Sequence, residues 1–446
     1  MSADVPPLFR FRRPGRRLVA VVIAAASLAV GCASSEPETP AAPPDFLVLK
    51  LGGDTTAKAL RGRPFNQSAR NLTNAQLQTF GAGADVFDAD AVPPALGPTF
   101  NATGCLGCHL DGNQDPSTVT QPPGLLIRLG SGTGDPIYGL QLQTQPADLA
   151  DAIVTYRFVD EGNLARLVAD VVPNHGPLAP DTTMSVRMAP PIIGLGLLEA
   201  IPEWQIRAAA DPDDANGDGI SGRVNEVWES RSSQLALGRF GWKAGQPSVA
   251  QQTVVAMHDD MGVTSSAEPD PCARQGSWCP AAGASRAEMS DSRLADMIFY
   301  NRTIAVPIAA DVTSPAVVAG ARRFDSIGCA ACHIPTQSSG GSDIAANADQ
   351  TFHPYTDLLV HDMGVGLADG RAEADASGSE WRTAPLWGIG RRFGVWGIHA
   401  YLHDGRARSI DEAIRWHGGE GERSRLAFEG LTDQQRQELL AFLDSL

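Results

Sequence analysis

Two pentapeptides in this chain have the residue types and spacing for redox chemistry: Cys105-Leu106-Gly107-Cys108-His109 and Cys329-Ala330-Ala331-Cys332-His333. In each, two thiols two residues apart match the two vinyl groups of one haem, and the next histidine turns back to ligate the iron. The whole chain holds only 7 cysteines and 9 histidines, so chance does not account for two copies. The competing use, a zinc site built from two Cys-x-x-Cys pairs, leaves the histidine after each pair unexplained. Two covalently bound haem c groups are therefore expected, one on Cys105, Cys108 and His109 and one on Cys329, Cys332 and His333.

The sixth ligand of each iron decides the chemistry, because an open iron binds peroxide or oxygen and a closed one mainly passes electrons. After the second pentapeptide, Ser409-Ile410-Asp411-Glu412 reads as a capping box, and Ile410, Ala413, Ile414 and His417 fall at i, i+3, i+4 and i+7. His417 thus faces the buried side of a short helix that Gly418-Gly419 ends. It is either an iron ligand or a hydrogen-bonded core histidine. The first site differs, since residues 110–174 contain neither histidine nor methionine. A distal ligand must come from farther away, such as His175, His258 or Met261, or the iron stays open. Gln141, Gln143 and Gln145 lie downstream as polar candidates for its surroundings, equally readable as a solvated loop.

Two further motifs are structural. Cys272 and Cys279, each beside a proline, are expected to form a local disulfide. Asp214-Ala215-Asn216-Gly217-Asp218-Gly219 matches the first half of a calcium loop, with oxygens from Asp214, Asn216 and Asp218 and a glycine at the bend. Asn225 stands where the twelfth-position Glu would be, and a plain Asx/Gly turn fits the segment as well.

These residues must be carried by an exported chain. Arg10 to Arg17 form a basic stretch before thirteen mostly apolar residues, Leu18 to Val30, too short to span a bilayer as a mature helix. The run ends in Leu28-Ala29-Val30-Gly31-Cys32, which resembles a lipobox with Ala29 in the usual leucine position. Residues 1–31 are read as a lipoprotein signal peptide and Cys32 as the lipidated residue. Ala33-Ser34 carries no acidic retention signal, so the periplasmic side of the outer membrane is expected. The formal net charge is −16. Removing five arginines and Asp4 with the signal brings it near −20, which repels nucleic acid and suits a basic donor such as a small cytochrome.

At 446 residues, 43% hydrophobic and 19% charged, the chain is globular and long enough for two folded units. Residues 32–60 read as a tether, 61–308 as a first haem domain and 309–446 as a second. The expected fold is mainly α: two cytochrome c-like haem domains with long loops, the first enlarged by insertions. Each ends in a capped helix, one starting at Ser290-Asp291 and one at Thr432-Asp433-Gln434-Gln435. Ser314-Pro315 starts a helix with Val317, Ala321, Phe324 and Gly328 on one face, running into Cys329. Few segments alternate as strands.

Local rhymes join the halves: Arg187-Met188-Ala189-Pro190 with Arg382-Thr383-Ala384-Pro385, and His258-Asp259-Asp260-Met261-Gly262 with His361-Asp362-Met363-Gly364. Together with Phe240-Gly241-Trp242-Lys243-Ala244 and Tyr401-Leu402-His403-Asp404-Gly405-Arg406, they resemble the di-haem oxidoreductase family over roughly residues 65–446. That family is related to bacterial di-haem cytochrome c peroxidases and MauG-type enzymes. The resemblance implies peroxide reduction at the first haem, electrons relayed through the second, and His417 where the family peroxidases carry a methionine. A histidine there lowers the potential relative to methionine. The alternative function is a non-catalytic di-haem electron carrier.

Overall fold

The computed structural model describes residues 42–58, 63–89, 96–112, 119–130, 132–280 and 287–446. The signal segment and Cys32 lie outside the described residues, as does part of the tether. Pro43–Leu446 cluster as one unit.

In chain order the elements are α1 (Asn74–Asp88), β1 (Leu126–Leu129), β2 (Ala152–Glu161), β3 (Leu164–Pro173), β4 (Met184–Arg187), α2 (Leu195–Glu199) and α3 (Glu203–Ala209). Then come β5 (Glu226–Glu229), β6 (Gln234–Leu237), α4 (Val249–Met261), α5 (Asp291–Thr303), α6 (Pro315–Ser326), β7 (Gln337–Ser338) and β8 (Thr351–Phe352). The chain closes with β9 (Val360–Asp362), α7 (Gly364–Leu367), β10 (Glu380–Arg382), α8 (Arg392–Trp396), α9 (Ile410–Arg415), α10 (Glu422–Glu429) and α11 (Asp433–Ser445).

Two helix crossings hold the pentapeptides. Thr73 caps α1 through a full capping box with Gln76, and Thr432 caps α11 the same way with Gln435. Each opening helix carries Gly-x-x-x-Phe: Gly83 and Phe87 on α1, Gly320 and Phe324 on α6. A Cβ on Gly83 would collide with the Asp296 carbonyl and come within 2.6 Å of Tyr300 Cβ on α5. On Gly320 it would collide with the Glu438 carbonyl and reach 2.7 Å from Phe442 Cβ on α11. Glycine therefore lets each helix pair touch backbone to backbone. One turn later the phenylalanine packs on the same partner, with Phe87–Tyr300 centroids at 5.2 Å and Phe324–Phe442 at 5.3 Å. Burying each of these rings contributes about 2 kcal/mol.

The mainly-α expectation does not hold. Helix makes up 31% and strand 16% of the structure, with five two-stranded antiparallel sheets among the described residues. The longest pairs β2 with β3 over ten residues each, joined at Gly162, whose φ of +68° suits the first position of a tight hairpin turn. Its inner face buries Ala152, with Val154, Tyr156, Ala169 and Val171 packed beside it. Its outer face mixes exposed apolar residues, Ile153 at 62% and Val172 at 60%, with the Arg157–Asp170 and Arg166–Glu161 ion pairs. Apolar residues on both faces blur the alternation that marks a strand, which is why the sequence did not reveal it. α6 buries Val317, Gly320, Ala321 and Phe324, the face its spacing requires.

Candidate haem-binding sites

Both pentapeptides fold as the same single turn. The backbone N–H of His109 donates to the Cys105 carbonyl at 2.8 Å, and that of His333 to the Cys329 carbonyl at 3.0 Å. All four cysteines are free thiols. Burial pushes those of Cys105, Cys108 and Cys329 up to about 12.

The imidazoles carry the stronger signal. His109 Nδ1 donates to the Pro190 carbonyl at 2.9 Å, His333 Nδ1 to the Tyr355 carbonyl at 2.9 Å and His417 Nδ1 to the Ala413 carbonyl at 2.8 Å. A ring fixed this way carries its proton on Nδ1 and keeps the Nε2 lone pair for a metal. Burial depresses the basicity of all three, His333 to about 4, so each stays neutral and able to ligate. Phe87 lies 6.4 Å from the His109 ring and Phe324 6.4 Å from the His333 ring. The free thiols, fixed imidazoles and flanking aromatic residues fit a haem at each turn.

Two further segments begin alike, although α4 runs on to Met261 and α9 stops at Arg415. Phe240 bridges to Gln246, and Tyr401 bridges to Ala407. Two residues beyond each bridge a serine caps a helix: Ser248 accepts from the Gln251 N–H, and Ser409 from the Glu412 N–H. Glu412 does not complete a capping box. Its carboxylate takes the N–H groups of Arg408 and Ala165 instead. Carried along this register, His417 falls on Ala256 of α4, which lines the cavity around Cys105, Cys108 and His109.

One turn beyond Ala256, Asp260 lines the same cavity. Gln141 Nε2 donates to Asp260 Oδ1 at 2.8 Å, and Arg128 donates to Gln141 Oε1 and to Asp259 Oδ2, each at 3.0 Å. Burial, helped by the neighbouring Asp259 charge, raises the Asp260 carboxyl to about 6. Gln143 donates to the Asp259 carbonyl at 2.7 Å, while Gln145 pairs with Phe100 away from Asp260. The sequence had marked Asp260 only as part of an internal echo. The helical period from a distal position at Ala256 is the signal that singles it out.

The other distal candidates are placed as follows. His175 stacks on Trp278 with centroids 3.7 Å apart, its Nε2 against the Ala150 carbonyl. His258 donates from Nδ1 to Asp259 at 3.1 Å and from Nε2 to the Asp270 carbonyl at 2.9 Å, leaving no lone pair. Met261 borders the cavity and packs with Leu96, Met257, Val263 and Leu294. Cys272 and Cys279 are joined in a disulfide.

Among the described residues one further cluster has metal-ligand types: Cys332, Asp357 and His361. His361 Nδ1 donates to Glu420 Oε2 at 2.7 Å and Nε2 to Asp357 Oδ2 at 2.9 Å. Burial opposes its charge, but these carboxylates and Cys332 overcome it and push the imidazole up to about 12. It ties the turn after His417, through Glu420, to the second pentapeptide.

The motif residues between the halves make a buried charged seam. Lys243 Nζ sits 4.1 Å and the Arg187 guanidinium 4.6 Å over the Trp381 ring, whose other contact is a His403 imidazole stacked at 3.7 Å. Trp242 Nε1 donates to the Met188 carbonyl at 2.7 Å, and the Met188 N–H to the His403 carbonyl at 2.7 Å.

Two such turns, each with a metal-ready imidazole, define a di-haem protein. Residues 174–446 match the family described as "Di-haem oxidoreductase, putative peroxidase". The chain belongs to that family and is a di-haem oxidoreductase. No curated protein matches it. Among solved structures it is similar to Kuenenia stuttgartiensis hydrazine synthase pressurised with 20 bar xenon. The identity is 14% and the TM-score 0.38, over 97% of this chain and 100% of that one.

Proposed function

We propose that this chain reduces a peroxide in the first cavity with electrons relayed through the second haem. Both haems are bound covalently, through Cys105 and Cys108 and through Cys329 and Cys332. The observation that carries the reading is the equal spacing from the capping serine, which puts Ala256 where the other half has His417. A methyl group offers no donor atom and leaves room for a small oxidant, whereas an imidazole closes its site. Haem bound there supplies the electrons and the Lewis acidity for O–O cleavage.

The protein's own share is proton handling. Asp260, poised near 6, takes a proton from one peroxide oxygen and returns it to the departing one. Gln141 holds its carboxyl in place, and Arg128 anchors Gln141. The export signal and Cys32 support a lipid-anchored protein on the periplasmic side of the outer membrane. The acidic body supports a basic cytochrome or similar small redox protein as donor.

The test is the absorption spectrum of the oxidised holoprotein with steady-state peroxide turnover. A high-spin component that responds to peroxide, with turnover, is expected. A purely low-spin spectrum in both redox states, without turnover, would overturn the reading in favour of an electron carrier.

A further inference from the structure

Around the first cavity four buried cations are paired with carboxylates. Arg128 pairs with Asp259 at 3.0 Å, Arg187 and Lys243 with Asp369 at 3.0 and 3.4 Å, and Arg371 with Glu373 at 2.7 Å. Arg382 and Arg392 have no carboxylate at contact distance; Asp357 attracts Arg382 only from farther off and is already bonded to His361. Both arginines line the cavity, and neither forms an ion pair among the described residues.

Arg382 spends two donors on the carbonyls of Gly241 and Thr383, at 2.9 and 3.1 Å. Arg392 is 5% exposed, and its Nε is buried without a partner. Its guanidinium rests 5.3 Å over Trp396 and 5.6 Å over Tyr401. Burying an unpaired cation costs several kcal/mol, so the fold must supply anions from elsewhere. The lining holds four arginines against three carboxyls, Asp259, Asp260 and Glu373. The deficit is on the anionic side.

We propose that Arg382 and Arg392 are the carboxylate-binding pair of this cavity and receive the two propionates of the haem attached at Cys105 and Cys108. The assignment rests on that haem being present. A haem in this cavity brings two carboxylates into a space that already holds two unmatched guanidiniums, and planar forks suit carboxylates. Burial lowers both arginines to about 10, which leaves them charged at neutral pH. Both belong to the segment after β9, while the thioether anchors come from the first pentapeptide. The first haem is then gripped at its edge by one half of the chain and at its carboxylates by the other.

The experiment is a redox titration of the holoprotein after mass spectrometry has counted its haems. Ferric haem carries one more positive charge than ferrous, so removing a neighbouring cation favours the ferric form. In R392Q and in R382Q one of the two waves is expected to move by about tenfold in ferric-to-ferrous ratio at a fixed potential. That is a fall of about 59 mV. R392K, which keeps the charge, should move it much less and covers the case where R392Q does not fold. Unmoved waves in folded R382Q and R392Q carrying two haems would overturn the assignment. A wild-type wave that shifts on adding acetate would also overturn it, because the pair would then be open to outside carboxylates. A wild-type mass showing one haem would instead sink the underlying reading, and the mass is known before any titration.

Discussion

The two pentapeptides rest in near-duplicate cradles yet face different distal walls. On the proximal side, Gly83, Phe87 and Tyr300 repeat as Gly320, Phe324 and Phe442, and each ligand imidazole is fixed by a backbone carbonyl. On the distal side, eight residues past a helix-capping serine, the chain carries Ala256 within α4 in one half and His417 just beyond the end of α9 in the other. The proximal duplication answers a shared need, which is to hold a haem edge and keep a neutral imidazole aimed at its iron. On the function proposed above, distal divergence assigns the roles, since one side chain decides whether a site is open or closed. Around the first cavity the chain adds Asp260, Gln141 and Arg128. Near the second pentapeptide it adds the His361 clamp, which holds the turn after His417 through Glu420.

The comparison breaks most directly if the two distal residues are exchanged. A256H should close the first site, turn its spectrum low-spin and reduce peroxide turnover at least a hundredfold. H417G should open the second and change the spectrum of that haem alone. An A256H protein that keeps wild-type turnover would show that the register does not set the open position.

Next in size is Asp260. As the proton acceptor it must be ionised, so turnover should rise with pH through about 6 and fall on the acid side. D260N should cost between 10² and 10⁴ in rate and flatten that limb, while both haem spectra stay as in wild type. An unchanged pH profile would move the proton transfer to another group.

The proximal duplication makes a matched prediction about stability. G83A and G320A each place a methyl group against a carbonyl of the closing helix, so the helices must part. Each should lose about 1–3 kcal/mol, measured as a shifted denaturant midpoint. A penalty at one site and none at the other would show that only one crossing is tightly packed.

What the sequence made legible follows the same line. The pentapeptide turns and the buried face of α6 are local patterns, in which spacing alone determines geometry, whereas the helix expected to carry His417 ends at Arg415, two residues short of it. α1 was legible in principle from the Thr73–Gln76 capping box and the Gly83–Phe87 pair, but the proline-rich stretch between it and Cys105 breaks the helical period that would link the two. Ala256 could not be found, because alanine carries no chemical signal and gains meaning only from its alignment with His417. Arg382 and Arg392 were hidden for a related reason. An arginine lacking a partner is visible only once the positions of all the carboxylates are known.

The smallest effect concerns the acidic loop, where the sequence left calcium and a plain turn open. Asp214 accepts the Gly219 N–H at 3.1 Å, Asn216 the Asp218 N–H at 2.8 Å, and Asp218 the Ile220 N–H at 2.9 Å. Asn225, at the twelfth loop position, is buried. Its amide donates to the Lys243 and Glu373 carbonyls at 2.7 and 3.0 Å, and its oxygen accepts from the Asp375 N–H at 2.9 Å. It is tied to the core rather than to the loop, and the loop closes on its own backbone. Adding EDTA should therefore move the denaturant midpoint by less than about 0.5 kcal/mol, the range of an ordinary surface change. D214N with D218N should behave alike. Stability that instead climbs with the logarithm of calcium concentration, and does so only with Asp214 and Asp218 intact, would make the loop a genuine cation site. The contrast between the haem sites would then no longer account for all of the metal chemistry in this chain.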